Sequence, residues 1–374
     1  MRRVSPERSL LLLSTTSKIG GTERIVLGLA QGLRSLRVDV STVLAEDVDA
    51  EKTVDWFREH GVWANTSPAV LTVYQRHTPR ALLDLRRLVQ QNGAQAANIH
   101  YGGNHLSLKD VLAIRAAGVK RCIVSIHHAN PIVEPRQRTM TRLGAQLASA
   151  VVVTTDVAKD VMLDAGVPER KIHVIPPCAE PPSEMTSRAE ARARLGLEPD
   201  DFVICALARL TREKGIADLI EGAARTRDSN VPIQLVIAGE GPAREELEAL
   251  AASRLPGRVR FTGRVPETGA IYAAADIFAL PSHMEGFGLV YLEAALYGVP
   301  SIATLVGGIP IAIDDGVTGT LVSVGDVDAI ASAIETLRDD PELRRRMGEA
   351  ARLRTERDFS PAAMCQKYAN LLFD

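Results

Sequence analysis

ADIFALPSHMEGFGLVYLEAALYGVPSIAT spans Ala275–Thr304. It opens on a short apolar run ending near Ser282, passes through the glycine-bearing turn HMEGFG, and continues in a helical pattern from about Gly288. A second apolar run, PSIAT, follows. Runs this short, bounded by Pro and Gly, read as buried strands, and the longer periodic segment between them reads as a helix. Strand, turn, helix and strand in that order make a βαβ unit with parallel strands.

The same rhythm extends in both directions. FVICALARL, IQLVIAGEG, VRFTG and GTLVSVG are further strands of this half, with helices opening at about Gly215 and Pro242. Earlier in the chain, SLLLLSTT precedes a helix opening near Thr22, whose Ile25, Leu29, Leu33 and Leu36 follow one face. VDVSTVLA, AANIHY, RCIVSIHH, ASAVVVTT and KIHVIPP continue the alternation. Between the halves, IPPCAEPPSE (Ile175–Glu184) carries four prolines and breaks the pattern, as a linker does. Helices fill Asp326–Asp374. The expected fold class is α/β, with two Rossmann-like parallel-sheet domains facing across a cleft. Residues 1–177 form the first, 178–356 the second, and a C-terminal helix of about 357–374 crosses back to the first.

The totals narrow the function. With 374 residues, 46% of them hydrophobic, the chain can bury two large cores, and a net charge of −2 gives no basic field for nucleic acid. Cys122, Cys178, Cys205 and Cys365 show neither CxxC nor metal-ligand spacing, so they read as reduced thiols in a cytoplasmic protein. Arginines followed by Leu10–Leu13 imitate a signal peptide, but that run falls short of an h-region of about 7–15 residues and reads as a buried first strand. No stretch approaches the ~18 apolar residues of a membrane span, which leaves peripheral contact at the inner face of a membrane open.

Ligands of open parallel sheets bind beyond the carboxyl ends of the strands. Glu285 lies in the turn after one strand, and Glu293 about five residues into the next helix, roughly 7–8 Å further along its axis. That separation suits an elongated ligand touched at two points. Arg209 and Lys214 follow VICALA and precede a helix, where a fork and a point charge suit a diphosphate. TREK alone is also an ordinary surface tetrapeptide. Gly20 and Gly21 follow the first strand without the GxGxxG pattern of a nicotinamide site. They read equally as a tight turn or as a place where a ligand reaches backbone. Gly239 and Gly241 form another strand-to-helix turn, and Gly307 and Gly308 a further one. His127 and His128 end a strand without the partners a zinc site needs, and His100 ends another. The arginine-rich helix ELRRRMGEAARLRTER is interspersed with acids and reads as a solvated face.

Taken in order, GGTERIV, VSIHH, HVIP, ARLTREKG, LVIAGEGP, VRFTGRV, the stretch from Tyr272 to Thr304, GG and DDGVTGTLV resemble a retaining glycosyltransferase of family 4 (glycosyl transferases group 1), with the GT-B fold. The resemblance covers almost the whole chain, with Glu285 and Glu293 as its Glu-x7-Glu signature. It implies a hexosyltransferase of the EC 2.4 class, moving sugar from a UDP- or GDP-sugar to a hydroxyl on a glycan, lipid-linked or small-molecule acceptor, with no metal or other cofactor. It implies that Arg209 and Lys214 hold the diphosphate, Glu285 and His127 meet the donor sugar, and Glu293 meets the ribose. Gly286, Phe287, Gly288 and Leu289 lend backbone, and Gly20, Gly21 and Gly239 line the donor site. The chain departs from the family at IPPCAE, where IPNG is common. It also has Ile311 where an acid usually follows GGIP, and Asn98 where an acid often precedes the strand-end His. A non-catalytic GT-B protein and a nucleotide-sugar epimerase are the alternative readings.

Overall fold

The computed structural model describes residues 8–16, 18–70, 78–103, 106–127, 131–182, 185–227, 229, 231–265 and 268–374. His128 and the Ser183–Glu184 end of the proline-rich linker lie outside the described residues. The chain forms two compact units, Met1–Cys178 with Pro361–Asp374, and Ala179–Ser360.

The first unit holds seven parallel strands: β1 (Ser9–Ser14), β2 (Asp39–Ala45), β3 (Ala64–Ser67), β4 (Ala96–Tyr101), β5 (Arg121–Ile126), β6 (Ala150–Val153) and β7 (Ile172–Val174). Their order is β3-β2-β1-β4-β5-β6-β7. Leu10–Leu13 do not alternate with polar residues because β1 is covered on both faces. Leu11 and Leu13 enter one apolar cluster, and Leu10 and Leu12 enter the other. That second cluster is completed by Met364, Cys365, Tyr368, Ala369 and Leu372 of the final helix, Pro361–Phe373. Gly32 is where this helix meets the helix Gly21–Ser35, since a Cβ there would overlap the Cys365 side chain.

Ile25, Leu29 and Leu33 are buried as their spacing predicts. Leu36 is not. The helix ends at Ser35, Arg37 takes a left-handed backbone conformation, and Leu36 is 40% exposed at the cap. All four cysteines are buried and unpaired.

The second unit holds six parallel strands: β8 (Phe202–Leu207), β9 (Ile233–Ala238), β10 (Val259–Gly263), β11 (Ile277–Leu280), β12 (Ser301–Thr304) and β13 (Gly319–Val322). Their order is β10-β9-β8-β11-β12-β13. Asp276, buried just before β11, accepts from Arg188 at 2.6 Å, Arg192 at 2.8 Å and the Val203 N–H at 2.8 Å, which pins this strand to β8. The arginine-rich helix Pro341–Asp358 carries the ion pairs Arg345–Glu349 and Arg352–Glu356 on its exposed face, while Arg354 donates to the carbonyls of Ile311 and Ala312. No helix among the described residues is long and apolar enough to cross a membrane.

In each unit the strand order reverses direction at one place, between β1 and β4 and between β8 and β11. A crevice opens at such a point because successive helices leave to opposite faces of the sheet.

Candidate functional site

In the second unit the polar residues gather at the carboxyl ends of β8 and β11. The chain leaving β8 runs through Arg209 into a short turn, Arg212–Lys214, and then into the helix Ile216–Arg225. The chain leaving β11 runs through Glu285 into the helix Leu289–Leu296. Lys214 Nζ donates to Glu285 Oε2 at 2.9 Å, with the two side chains only 21% and 15% exposed. The Gly286 N–H donates to the other carboxylate oxygen at 3.2 Å. Arg209 is exposed, and its guanidinium forms no hydrogen bond or ion pair with the described residues. One cation is thus neutralised in the resting site and one is available.

The backbone around Glu285 is held tightly. Gly308 N–H donates to Gly286 O at 2.6 Å, and Gly307 sits at φ 55° where a Cβ would overlap the Glu285 carbonyl oxygen. Phe287 turns away from the site into the core, 5.8 Å from the Phe359 ring, so it can offer a ligand only its backbone. The helices Ile216–Arg225 and Leu289–Leu296 begin at Gly215 and Gly288, neither of which supplies a side-chain cap. Their first-turn N–H groups remain open to an anion, at the positive end of each helix dipole.

Glu293, half-buried on the second of those helices, accepts from the Tyr272 hydroxyl at 2.6 Å. Tyr272 was not anticipated, because its partner is far along the chain and no local spacing links them. Gly239 has a packing reason of its own: a Cβ there would overlap the Ala208 carbonyl just before Arg209. Ile311, in place of an acid, packs against the apolar core.

The first unit places a second cluster at the carboxyl ends of β1, β4 and β5. The helix Gly21–Ser35 starts at Gly20, again without a side-chain cap. Beneath that turn lies Glu23, 2% exposed. Its carboxyl accepts from the Thr16 hydroxyl, with backbone N–H groups of Gly20 and Glu23 adding support. Burial raises its pKa above the ordinary carboxylate value, against the pull of these donors. An acid in the first turn of a helix reads as a surface residue, so nothing in the sequence singled Glu23 out.

His127, just past β5, and His100, in β4, meet here with Nε2 and Nδ1 2.8 Å apart. Burial holds the His127 imidazole down at about 4 and the His100 imidazole well below its usual range. Both rings are therefore neutral at physiological pH. Asn98 is buried one layer deeper and accepts from Ser125 at 3.0 Å. Among the described residues, no group of three or more His, Cys, Asp or Glu is placed to hold a metal ion.

Comparison with known proteins gives this arrangement a family. Residues 19–181 match Glycosyltransferase Family 4, and residues 187–354 match Glycosyl transferases group 1. The alpha-D-kanosaminyltransferase of Streptomyces kanamyceticus is 32% identical over 289 residues, covering 72% of this chain and 74% of that protein. A GDP-mannose-dependent alpha-(1-6)-phosphatidylinositol monomannoside mannosyltransferase of Mycolicibacterium smegmatis is 34% identical over 253 residues, covering 64% and 66%. Among solved structures, a glycosyltransferase from Rickettsia africae superposes with a TM-score of 0.82 at 17% identity, covering 98% of this chain and 99% of that one. Anabaena HepE in complex with UDP superposes with a TM-score of 0.81 at 21% identity, covering 97% and 98%. These two share the fold. The chain belongs to glycosyltransferase family 4: it is a glycosyltransferase of the GT-B fold, with one Rossmann-like parallel sheet in each of its two units.

Proposed function

We propose that the protein transfers a hexosyl group from a UDP- or GDP-sugar to a hydroxyl acceptor, with retention at the anomeric carbon and without a metal ion. The observation that carries this reading is the Lys214–Glu285 ion pair beside the unpaired Arg209, at the point where β8 and β11 part. A diphosphate arriving between two uncapped helix starts would take over Lys214 and engage Arg209. Glu285, released from its cation, would then accept hydrogen bonds from sugar hydroxyls. Glu293, oriented by Tyr272, would take the ribose hydroxyls, and backbone of Gly286, Phe287, Gly288 and Leu289 would lie along the phosphates and sugar. Gly239, Gly20, Gly21 and His127 complete the donor contacts in this reading.

In the reaction the bond from the anomeric carbon to the diphosphate oxygen breaks, and one to the acceptor oxygen forms on the same face. The acceptor proton passes to the departing phosphate oxygen. Arg209, Lys214 and the helix N–H groups stabilise the negative charge as it develops, a contribution fixed in place before the reaction starts. No second carboxylate is evident as a nucleophile, which favours front-face transfer over a covalent intermediate.

Relatives use donors and acceptors of this kind: one is named for GDP-mannose, and others are D-inositol 3-phosphate glycosyltransferases. A lipid-linked acceptor would bring the cytoplasmic enzyme to the inner face of a membrane. The test is thermal unfolding against UDP-, GDP- and ADP-sugars with a chelator present, followed by product analysis at the anomeric centre. A shift with a UDP- or GDP-sugar and a retained anomer are expected. No shift with any donor, an inverted product, or activity that the chelator abolishes would overturn the corresponding part.

A further inference from the structure

The histidine pair carries an inference beyond the role of His127 alone. His100 is wholly buried, and its carbonyl is fixed by both the Thr15 N–H at 3.0 Å and the Thr15 hydroxyl at 3.1 Å. Its ring is thereby aimed at His127, with the two ring planes within 5° of parallel and their centroids 5.1 Å apart. The inner nitrogens, His100 Nδ1 and His127 Nε2, bond to each other at 2.8 Å. The outer nitrogens, His100 Nε2 and His127 Nδ1, are buried and have no partner among the described residues.

Two neutral imidazoles joined in this way share one bridging proton. If His100 donates it, His127 carries its own proton on Nδ1. If His127 donates it, Nδ1 is bare. The two arrangements have the same charge and opposite polarity at His127 Nδ1. A buried polar atom left unpartnered is costly, and a ligand group that pairs with Nδ1 removes that cost.

We propose that His100 is a positioning residue for His127. It occupies Nε2, leaves Nδ1 as the atom that meets the sugar, and lets His127 offer that atom as donor or acceptor without gaining charge. This rests on the reading of His127 as a sugar-contacting residue. A histidine serving only to fill the core would be replaceable by a ring of equal size.

The experiment compares His100→Phe, His100→Gln and His127→Ala in the full chain. It uses steady-state kinetics with whichever nucleotide sugar binds, and nitrogen-15 spectra of the histidine rings in the free protein. His100→Phe is expected to lower kcat by about 10- to 100-fold, with nucleotide affinity within about two-fold, as for removal of an orienting partner. His100→Gln, which can still bond to Nε2, is expected to recover most of that loss. The coupling between the bridged nitrogens should be present in the parent and absent in the Phe variant. A folded His100→Phe protein with parental kcat, beside an impaired His127→Ala, overturns the positioning role and leaves the sugar contact standing. A fully active His127→Ala overturns both.

Discussion

Lys214 and Glu285 come from two different strand ends, and their 2.9 Å bond closes the β8–β11 crevice in the resting protein. Each is the other's partner until a ligand arrives. Removing the cations therefore affects binding, whereas removing the carboxylate affects what happens after binding.

Replacing Arg209 and Lys214 together by Ala should weaken nucleoside diphosphate binding by about 2–5 kcal/mol, the usual consequence of losing charge-assisted contacts to a desolvated anion. Isothermal titration with UDP and GDP measures this. Unchanged affinity removes both residues from the diphosphate site.

Glu285→Gln keeps the shape of the side chain and the loop but loses its charge. We expect kcat to fall by about 100-fold or more while nucleotide affinity changes by less than about five-fold. Equal losses in the two quantities would place Glu285 in nucleotide binding.

Tyr272→Phe deletes the hydroxyl that donates to Glu293 at 2.6 Å. The expected result is a KM for the donor raised about three- to ten-fold at nearly constant kcat, because one hydrogen bond to a charged group is worth about 1.5–3 kcal/mol at most and only part of it reaches the ligand. A fall in kcat alone would place Glu293 nearer the reacting atoms.

Stability should respond to acid through the histidine pair. Both imidazoles hold a proton less tightly in the folded protein than in the unfolded chain, His127 with a value of about 4 against 6.5. The unfolded chain therefore takes up protons that the fold refuses as pH drops below 6.5. Their contribution is complete above that value and is lost progressively toward pH 4 and below. Glu23, shifted upward, acts in the opposite direction near its own range, stabilising most when protonated. Denaturant midpoints measured from pH 8 down to pH 4 should slope downward in the parent. They should slope less in a folded His100→Phe variant, and an equal slope would contradict the buried neutral pair.

Gly307→Ala should cost more than about 2 kcal/mol, since the new methyl meets a carbonyl oxygen at a positive φ that Ala adopts poorly. Chemical unfolding reads the loss, and a change under about 0.5 kcal/mol would mean that the Glu285 loop yields easily.

Much of this architecture is legible in the chain because buried parallel strands announce themselves as apolar runs. Leu10–Leu13 and Ile277–Leu280 are examples. β3 is hidden because Ala64–Ser67 contains no such run; it is an edge strand held by its backbone pairing to β2. The resemblance brought Arg209, Lys214, Glu285 and Glu293 to attention, but their pairings depend on strand order. His100 and His127 meet because β4 and β5 are neighbours in register, with His100 opposite Ser125. Tyr272 reaches Glu293 across β11, and Glu23 is buried only because the glycine turn folds over it. These contacts arise from the third dimension, and residue spacing alone does not encode them.

The last helix has a consequence for how the chain is made. Met364, Cys365, Tyr368 and Leu372 complete an apolar cluster whose other members begin at Leu10. A ribosome delivers those two sets of residues at opposite ends of synthesis. The unit Ala179–Ser360 is contiguous and can close while translation continues, whereas the earlier-made sheet waits with one flank uncovered. The portion synthesised first is therefore the one that finishes folding last, and it is the one exposed to chaperones and proteases during the delay.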